Sequence, residues 1–185
     1  MIGVTELRKG VTFEVDGQLY KVMEYSHNKP GRGSATIRTK IRNLRTGATS
    51  ERTFISGDRV QDIRLEHADV QYMYNDGDLF YFMNVETYEQ PALTREMLGD
   101  AVNYLIDGLV LELSTYEGEA IDIEVPITVD LEVVEAEPGF KGDTAQGATK
   151  KAVLETGLAV NVPLFVNVGD KIRIDTRTGE YLTRV

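Results

Sequence analysis

Short runs of alternating apolar and polar residues, separated by turn sequences, occur along almost the whole chain. The strictest run is 35–43, where two sets of side chains alternate: Ile37, Thr39 and Ile41 against Arg38, Lys40 and Arg42. Because successive side chains of a β-strand point to opposite faces, this period of two predicts strands. Turn sequences such as Asp16-Gly17 recur about every 8–12 residues, a spacing typical of small barrels. We therefore predict an all-β chain made of small barrels.

The predicted strands cover most of the sequence and leave little room for helix. They are 12–15, 19–25, 35–43, 49–55, 70–74, 79–83, 109–115, 120–125, 129–135, 158–162, 171–174 and 181–184. Helical signals are limited to a turn from Thr94 to Leu98 that Gly99 would end, and a second turn, through Leu105, that Asp100 would cap.

Charge and composition divide the 185 residues into three segments. Residues 1–64 contain 12 Lys and Arg against 7 Asp and Glu, a net charge of +5. Residues 65–126 contain one basic and 14 acidic residues, a net charge of −13. Residues 127–185 contain 7 basic and 9 acidic residues, a net charge of −2. Each segment has the size of an SH3-like or OB-type barrel.

The total of −10 argues against a nucleic-acid partner, but the basic first segment is typical of a chain that meets a polyanion with one part only. Solubility is a second explanation for the acidic residues.

The composition excludes several classes of site. The chain has no cysteine and only two histidines, so disulfides, thiolate zinc sites, Cys nucleophiles and His-based metal cages or triads are not expected. Asp76 and Asp78 are more simply explained by a turn than by a metal. We predict no catalytic residue, no metal and no cofactor. With no signal-like start and no apolar run of about 20 residues, the expected protein is cytoplasmic and does not bind membranes.

A glycine-flanked cation marks the most distinctive loop, which comprises Lys29, Pro30, Gly31, Arg32 and Gly33. Glycine on both sides removes steric bulk, so that the backbone can enter a narrow space and present one long cationic side chain. A guanidinium suits phosphate or ribose contacts through its planar set of donors. An ordinary hairpin loop explains the same glycines and proline.

The strand after this loop carries Arg38, Lys40 and Arg42 on one face. A cation at the tip of a loop, next to a basic strand face, is typical of a surface that follows a nucleic-acid backbone. A solvated strand face is the alternative explanation for these three residues.

A second glycine-rich stretch runs from Gly139 to Lys151. Gly142 and Gly147 have the spacing of a phosphate-binding loop, but Ala148 occupies the position of the essential lysine, so a nucleotide site is excluded. The stretch is expected to be a loop. Its backbone amides and polar side chains would suit base edges or phosphates, and a plain connection is an equal alternative.

Further motifs follow one another through the chain: Tyr74-Asn75-Asp76-Gly77, Glu86-Thr87-Tyr88-Glu89-Gln90, Lys141-Gly142-Asp143-Thr144 and Asp175-Thr176-Arg177-Thr178-Gly179-Glu180-Tyr181. The stretch 150–169 adds Lys150, Ala152, Gly157, Val160, Val162-Pro163, Val166 and Gly169. Together with the tip 29–33, these motifs closely resemble the bacterial translation elongation factor P family. The resemblance covers essentially the whole chain and is most specific in the last third.

The resemblance implies three small β-barrel domains in an L shape: an SH3-like (KOW-type) barrel at 1–64, a central OB-fold at 65–126 and a C-terminal OB-fold at 127–185. It implies a monomer that is not an enzyme and binds the 70S ribosome, through rRNA and ribosomal proteins, between the peptidyl and exit sites. There it would position peptidyl-tRNA and relieve stalling at consecutive prolines. A plain RNA-binding module and a small hydrolase are the alternatives, and both rank below this function.

The resemblance also assigns roles to single residues. Arg32 would reach the CCA end of the peptidyl-tRNA, and Lys29, Pro30, Gly31 and Gly33 would shape its loop. Gly142, Asp143 and Thr144 would approach the exit-site mRNA codon, and Tyr181 and Arg184 would face tRNA and the small subunit. Many members modify a tip lysine, which Arg32 excludes. Whether Arg32 is rhamnosylated by an arginine-modifying enzyme or acts unmodified stays open.

Overall fold

The computed structural model describes residues 1–139 and 147–185, which are almost entirely β-strand. The strands are β1 Ile2–Gly3, β2 Thr12–Val15, β3 Gln18–Asn28, β4 Thr36–Asn43, β5 Thr49–Ile55, β6 Arg59–Asp62, β7 Glu66–Asn75, β8 Leu79–Asn84, β9 Ala92–Thr94, β10 Val110–Tyr116, β11 Glu119–Glu124, β12 Thr128–Ala136, β13 Thr149–Leu154, β14 Ala159–Pro163, β15 Lys171–Asp175 and β16 Glu180–Arg184. The helical segments within these ranges are α1 Arg95–Leu98 and the 3₁₀ helices Val4–Glu6 and Gly99–Tyr104.

The first sheet has the order β1-β6-β2-β3-β4-β5, and its neighbouring strands pair antiparallel. Its inward side chains form one apolar core that includes Phe13, Val22, Ile37, Ile41 and Phe54. The rings of Phe13 and Phe54 meet edge to face with centroids 6.1 Å apart. Burying aromatic rings of this size dominates the stability of a small barrel. The core includes side chains of both β3 and β4 and therefore holds the β3–β4 hairpin on the barrel.

The second sheet has the order β11-β10-β7-β8-β9. Tyr72 and Phe82, buried on adjacent strands, lie with ring centroids 5.5 Å apart. After β9, the Thr94 hydroxyl accepts a hydrogen bond from the backbone N–H of Met97 at 3.3 Å, which caps α1. Gly99 then ends α1 with a φ of 54°, a conformation that favours glycine. The predicted turn from Thr94 to Leu98 is therefore confirmed.

The third sheet has the order β14-β13-β12-β15-β16. Leu131, Val133, Leu154, Val162 and Ile172 are fully buried in its core. The register shifts between Val133 and Glu135 on β12, and such bulges strengthen the twist that a small barrel needs. Three barrel-like sheets with scarcely any helix confirm the predicted all-β class.

Contacts group residues 1–68 and 113–122 into one compact unit, and residues 69–112 and 123–185 into a second. Strands β1–β6 lie within 1–64, β7–β11 within 65–126 and β12–β16 within 127–185. The domain boundaries stay a prediction, because the compact units do not correspond to three separate segments. In the described part of the chain, no helix has both the length and the apolar character that crossing a bilayer requires.

Two local predictions are wrong. The loop expected over 139–151 does not extend to Lys151, because β13 begins at Thr149 and Lys150 is only 7% exposed. Lys150 occupies an inward position in line with Ala152 and Leu154, and its charge obscures the alternation of the strand. A lysine can be buried at such a position because its stem is aliphatic. Asp100 caps no helix, because the 3₁₀ helix starts at Gly99 directly after α1 and has no side-chain cap.

An ion pair spans β12 and β15 on the third sheet. The Arg173 Nε and Nη2 groups donate to the two carboxylate oxygens of Asp130 at 2.8 and 3.1 Å, at directly paired cross-strand positions. Hydrogen bonding from Arg173 holds the pKa of Asp130 below its ordinary value. Two parallel bonds of this kind favour the charged carboxylate.

We expect this pair to stabilise the fold above the ordinary carboxyl pKa of about 4 and to lose its contribution as the pH falls through the lower folded value. Arg173→Gln should raise the pKa of Asp130 towards its ordinary value, as measured by NMR titration of the side-chain carboxyl. Asp76 is the control, because its low pKa has a different cause, mainly the backbone N–H of Leu79. An unchanged Asp130 titration in the variant would contradict the assignment.

Candidate functional site

The β3–β4 hairpin carries the glycine-flanked loop at its end. Strand β3 runs to Asn28, three residues beyond its predicted end, and its last pair joins Asn28 to Thr36 on β4. Residues 29–35 lie beyond that pair, and 29–34 are all exposed. The loop is therefore a projection from the end of two paired strands, not a connection across the barrel.

The hairpin is fixed by its inward side chains. Ile37 and Ile41 are buried in the first core, which confirms the predicted alternation of 35–43. Thr39 lies between them at 1% exposure, and its hydroxyl donates a 2.8 Å hydrogen bond to the carbonyl of Arg52 on β5. A buried hydroxyl without such a partner would cost stability. The base of the loop is thus held on both sides by core packing and strand pairing.

The two glycines of the loop differ in what the protein itself requires of them. Gly33 has a φ of 103°, which a residue with a Cβ rarely adopts. Gly31 lies outside the positive-φ region, and a Cβ added to it would meet nothing within 4 Å. The fold therefore explains the glycine at 33 but gives no reason for one at 31.

Arg32 stands exposed between these glycines. Within 1–139 and 147–185, its side chain makes no hydrogen bond, ion pair or ring contact. Because a guanidinium stays charged at any physiological pH, the loop presents a cation that no described neighbour neutralises. This is a suitable arrangement for an external anionic ligand.

The basic face behind the loop is narrower than its sequence indicates. Arg38 is exposed and lies opposite the uncharged Ser26 and Thr53. Lys40 lies opposite two acidic residues on the neighbouring strands, and its Nζ is 3.8 Å from Glu24 Oε1. Arg42 is half-buried and its Nη1 lies 3.9 Å from Asp122 Oδ1. On this strand face, the cation that lies opposite no acidic residue and forms no ion pair with the described residues is therefore Arg38.

The C-terminal candidates lie on β16. Tyr181 packs against the core of the third sheet. Arg184 stacks over the exposed ring of Phe165, 5.1 Å from its centroid, while its Nη1 is 3.6 Å from Asp170 Oδ2. These contacts hold Arg184 in place at the surface. Gly142, Asp143 and Thr144 lie outside the described residues.

The turn between β7 and β8 uses Asp76 as a structural residue. Its carboxylate accepts hydrogen bonds from the backbone N–H groups of Leu79 and Asp78, at 2.8 and 3.1 Å, and from the Tyr81 hydroxyl at 3.0 Å. These bonds, led by that of Leu79, lower the pKa of Asp76. The described ranges contain no cluster of three His, Asp or Glu side chains that could hold a metal ion. The arrangement explains Asp76 as a turn residue.

Sequence reasoning missed two residues that shape these surfaces. Asp122 reaches Arg42 from 80 positions along the chain, and Phe165 supports Arg184 from a loop after β14. Asp122 falls in the predicted strand 120–125, but nothing in the local sequence pattern singles it out. The structure shows that the Asp122 side chain is only 10% exposed and contacts basic side chains of the first barrel.

The chain matches three family models. The description "Elongation factor P KOW-like domain" covers residues 3–60, "Elongation factor P OB domain" covers 65–123, and "Elongation factor P, C-terminal" covers 129–184. The first match includes the whole β3–β4 hairpin with its loop, and the third includes β16.

Full-length relatives agree with these models. The chain is 55% identical over 184 residues to elongation factor P of Moorella thermoacetica, and 53% identical over 185 residues to that of a Thermoanaerobacter species. Each alignment covers 100% of both chains. Among solved structures, eukaryotic translation initiation factor 5A from Methanococcus jannaschii is similar, with a TM-score of 0.52 and 21% identity over 68% of this chain and 90% of that chain. At that identity the structural likeness shows the fold alone.

Proposed function

The chain belongs to the elongation factor P family of translation elongation factors, and on that premise we propose that it binds the ribosome between the peptidyl and exit sites. There it positions peptidyl-tRNA for peptide-bond formation and relieves stalling at consecutive prolines. The observation that carries the proposal is the projecting loop, in which an exposed Arg32, without an ion-pair partner among the described residues, stands next to a glycine that the fold itself does not need.

The tip acts by position and charge. Proline reacts slowly as an acceptor because its amine is secondary and its ring fixes φ. Holding the end of the peptidyl-tRNA in a reactive geometry lowers the entropic part of the barrier without any chemical group from the factor. Arg32 supplies the contact to the CCA end through its planar donor set. Lys29, Pro30, Gly31 and Gly33 shape the approach of the backbone.

Other parts of the surface contact the remaining partners. Arg38, exposed and opposite uncharged neighbours, faces RNA near the tip. Tyr181 and Arg184 meet tRNA and the small subunit, and Gly142, Asp143 and Thr144 approach the exit-site codon. An arginine-modifying enzyme acts on Arg32 if the tip is rhamnosylated. We propose further that the protein acts in the cytoplasm as a monomer. Its three barrels would comprise residues 1–64, 65–126 and 127–185.

The direct test is a reconstituted translation assay of a Pro-Pro-Pro reporter with and without the protein. We expect the protein to increase full-length product from this reporter and to leave a matched Ala-Ala-Ala reporter unchanged. Equal output with and without the protein would overturn the proposal. Tight binding to free RNA without any effect on translation would favour the plain RNA-binding module instead.

A further inference from the structure

The turn end of the β10–β11 hairpin belongs to the same compact unit as the first barrel. Residues 113–122 group with 1–68, although they follow β7, β8 and β9 in the chain. Ile121 is 2% exposed and packs with Leu19 and Leu44, which lie side by side at the end of the β3–β4 pair opposite the loop 29–34, where the Leu44 N–H donates to the Leu19 carbonyl at 2.9 Å. Burial of these three side chains, flanked by Ile63 and Tyr116, makes an apolar joint between barrel and hairpin.

A buried carboxylate lies beside this joint. The Lys21 Nζ donates to Asp122 Oδ2 at 3.0 Å, and Arg42 Nη1 lies 3.9 Å from Asp122 Oδ1. The Asp122 side chain is 10% exposed, whereas those of Lys21 and Arg42 are 30% and 28% exposed. The contact is thus shielded from solvent to a degree that exposed surface pairs are not.

Lys21 and Arg42 are direct cross-strand partners on β3 and β4. Like charges at directly opposed positions destabilise a strand pair. Asp122 relieves this repulsion by interacting with both cations. Its carboxylate therefore stabilises the two strands that carry the tip loop and, at the same time, ties them to the β10–β11 hairpin.

We propose that Asp122 is a positioning residue that fixes the orientation of the β3–β4 hairpin, and hence of the tip loop, on the β10–β11 hairpin. The inference rests on the proposed function, because a tip that acts by position must be held in one orientation to do so. Removing one partner of a buried pair leaves the others uncompensated. Asp122→Asn would leave Lys21 and Arg42 facing each other across β3 and β4 without the carboxylate that is their ion-pair partner within the described residues.

The first experiment measures the joint itself. Because the chain has no cysteine, spin labels on Ser56→Cys and Glu117→Cys report the distance between the first barrel and the turn of the β10–β11 hairpin. We expect the distance distribution, measured by double electron–electron resonance, to broaden in Asp122→Asn. Glu119→Gln is the matched control, since it removes one negative charge from the same hairpin and breaks only an exposed pair with Arg45 at 3.4 Å.

The second experiment measures the effect on function. At saturating factor, Asp122→Asn should lower the maximal rate of Pro-Pro-Pro synthesis by about fivefold, an ordinary size for a residue that couples two parts of a protein. The concentration that gives half-maximal stimulation should stay the same, because the residue touches no ligand. Asp122→Glu, which keeps the charge, should restore most of the rate, whereas a purely structural defect would move melting temperature and both kinetic parameters together.

The outcomes separate the two proposals. If the wild type does not stimulate Pro-Pro-Pro synthesis, the proposed function fails, and the distance distribution alone decides whether Asp122 orders the joint. The positioning role is overturned if the wild type is active but the folded Asp122→Asn variant keeps the full rate. It is also overturned if this variant shows the same distribution of spin-label distances as the wild type. If Asp122→Asn does not fold, Lys21→Gln, which leaves the Arg42 contact in place, must give the same two changes in weaker form.

Discussion

Arg32→Ala should lower Pro-Pro-Pro synthesis by at least about tenfold at saturating factor, because the loop then offers no cation to the end of the peptidyl-tRNA. The side chain is exposed and makes no hydrogen bond, ion pair or ring contact with the described remainder of the protein, so its loss should not change the free energy of unfolding. The measurement is the rate of product formation in the reconstituted assay, together with thermal unfolding of both proteins. Intact mass of protein from its native host, measured in parallel, shows whether Arg32 carries an adduct.

Two variants make the Arg32 result specific. Arg32→Lys keeps the charge but loses the planar donor set, and it should retain only part of the rate. Lys9→Ala removes an exposed cation from another turn of the same barrel and should leave the rate unchanged. Full activity of Arg32→Ala would show that the tip side chain does not act in the reaction.

Gly31→Val should have the second large effect, and it should affect function alone. The Cβ position at Gly31 is open and its φ is not in the left-handed region. The free energy of unfolding of the variant should therefore lie within about 0.5 kcal/mol of the wild-type value. If the loop enters a narrow space on the ribosome, the branched side chain should clash there and reduce Pro-Pro-Pro synthesis by about tenfold.

The control is Ser34→Val, which places the same branched side chain at an exposed position nearer the end of the same loop. It should reduce the rate much less than Gly31→Val. Unfolding in urea and the translation rate are measured for both variants. Equal rates for Gly31→Val and the wild type would mean that the tip does not approach its partner closely, and equal losses for both variants would point to general crowding of the loop.

Much of the fold could be predicted from local patterns. The strand 49–55 was predicted with its exact bounds, and the run 35–43 was predicted with its inward and outward faces, because a period of two is a property of the strand itself. The turn from Thr94 to Leu98 followed from a capping hydroxyl and a terminal glycine. Lys150 was missed because a charged residue at an inward position contradicts the pattern on which the prediction depends.

The candidate site divides in the same way. The sequence by itself determined the β class, the alternation of β4 and the glycine-flanked Arg32, since each depends on neighbours a few residues apart. The tertiary structure alone decided that Arg38 stays opposite uncharged residues, that Arg42 turns to Asp122 and that Gly31 has open space around it. The physical reason is that charge neutralisation and free volume depend on side chains that chain folding brings together from distant positions, and these leave no periodic signal in the sequence.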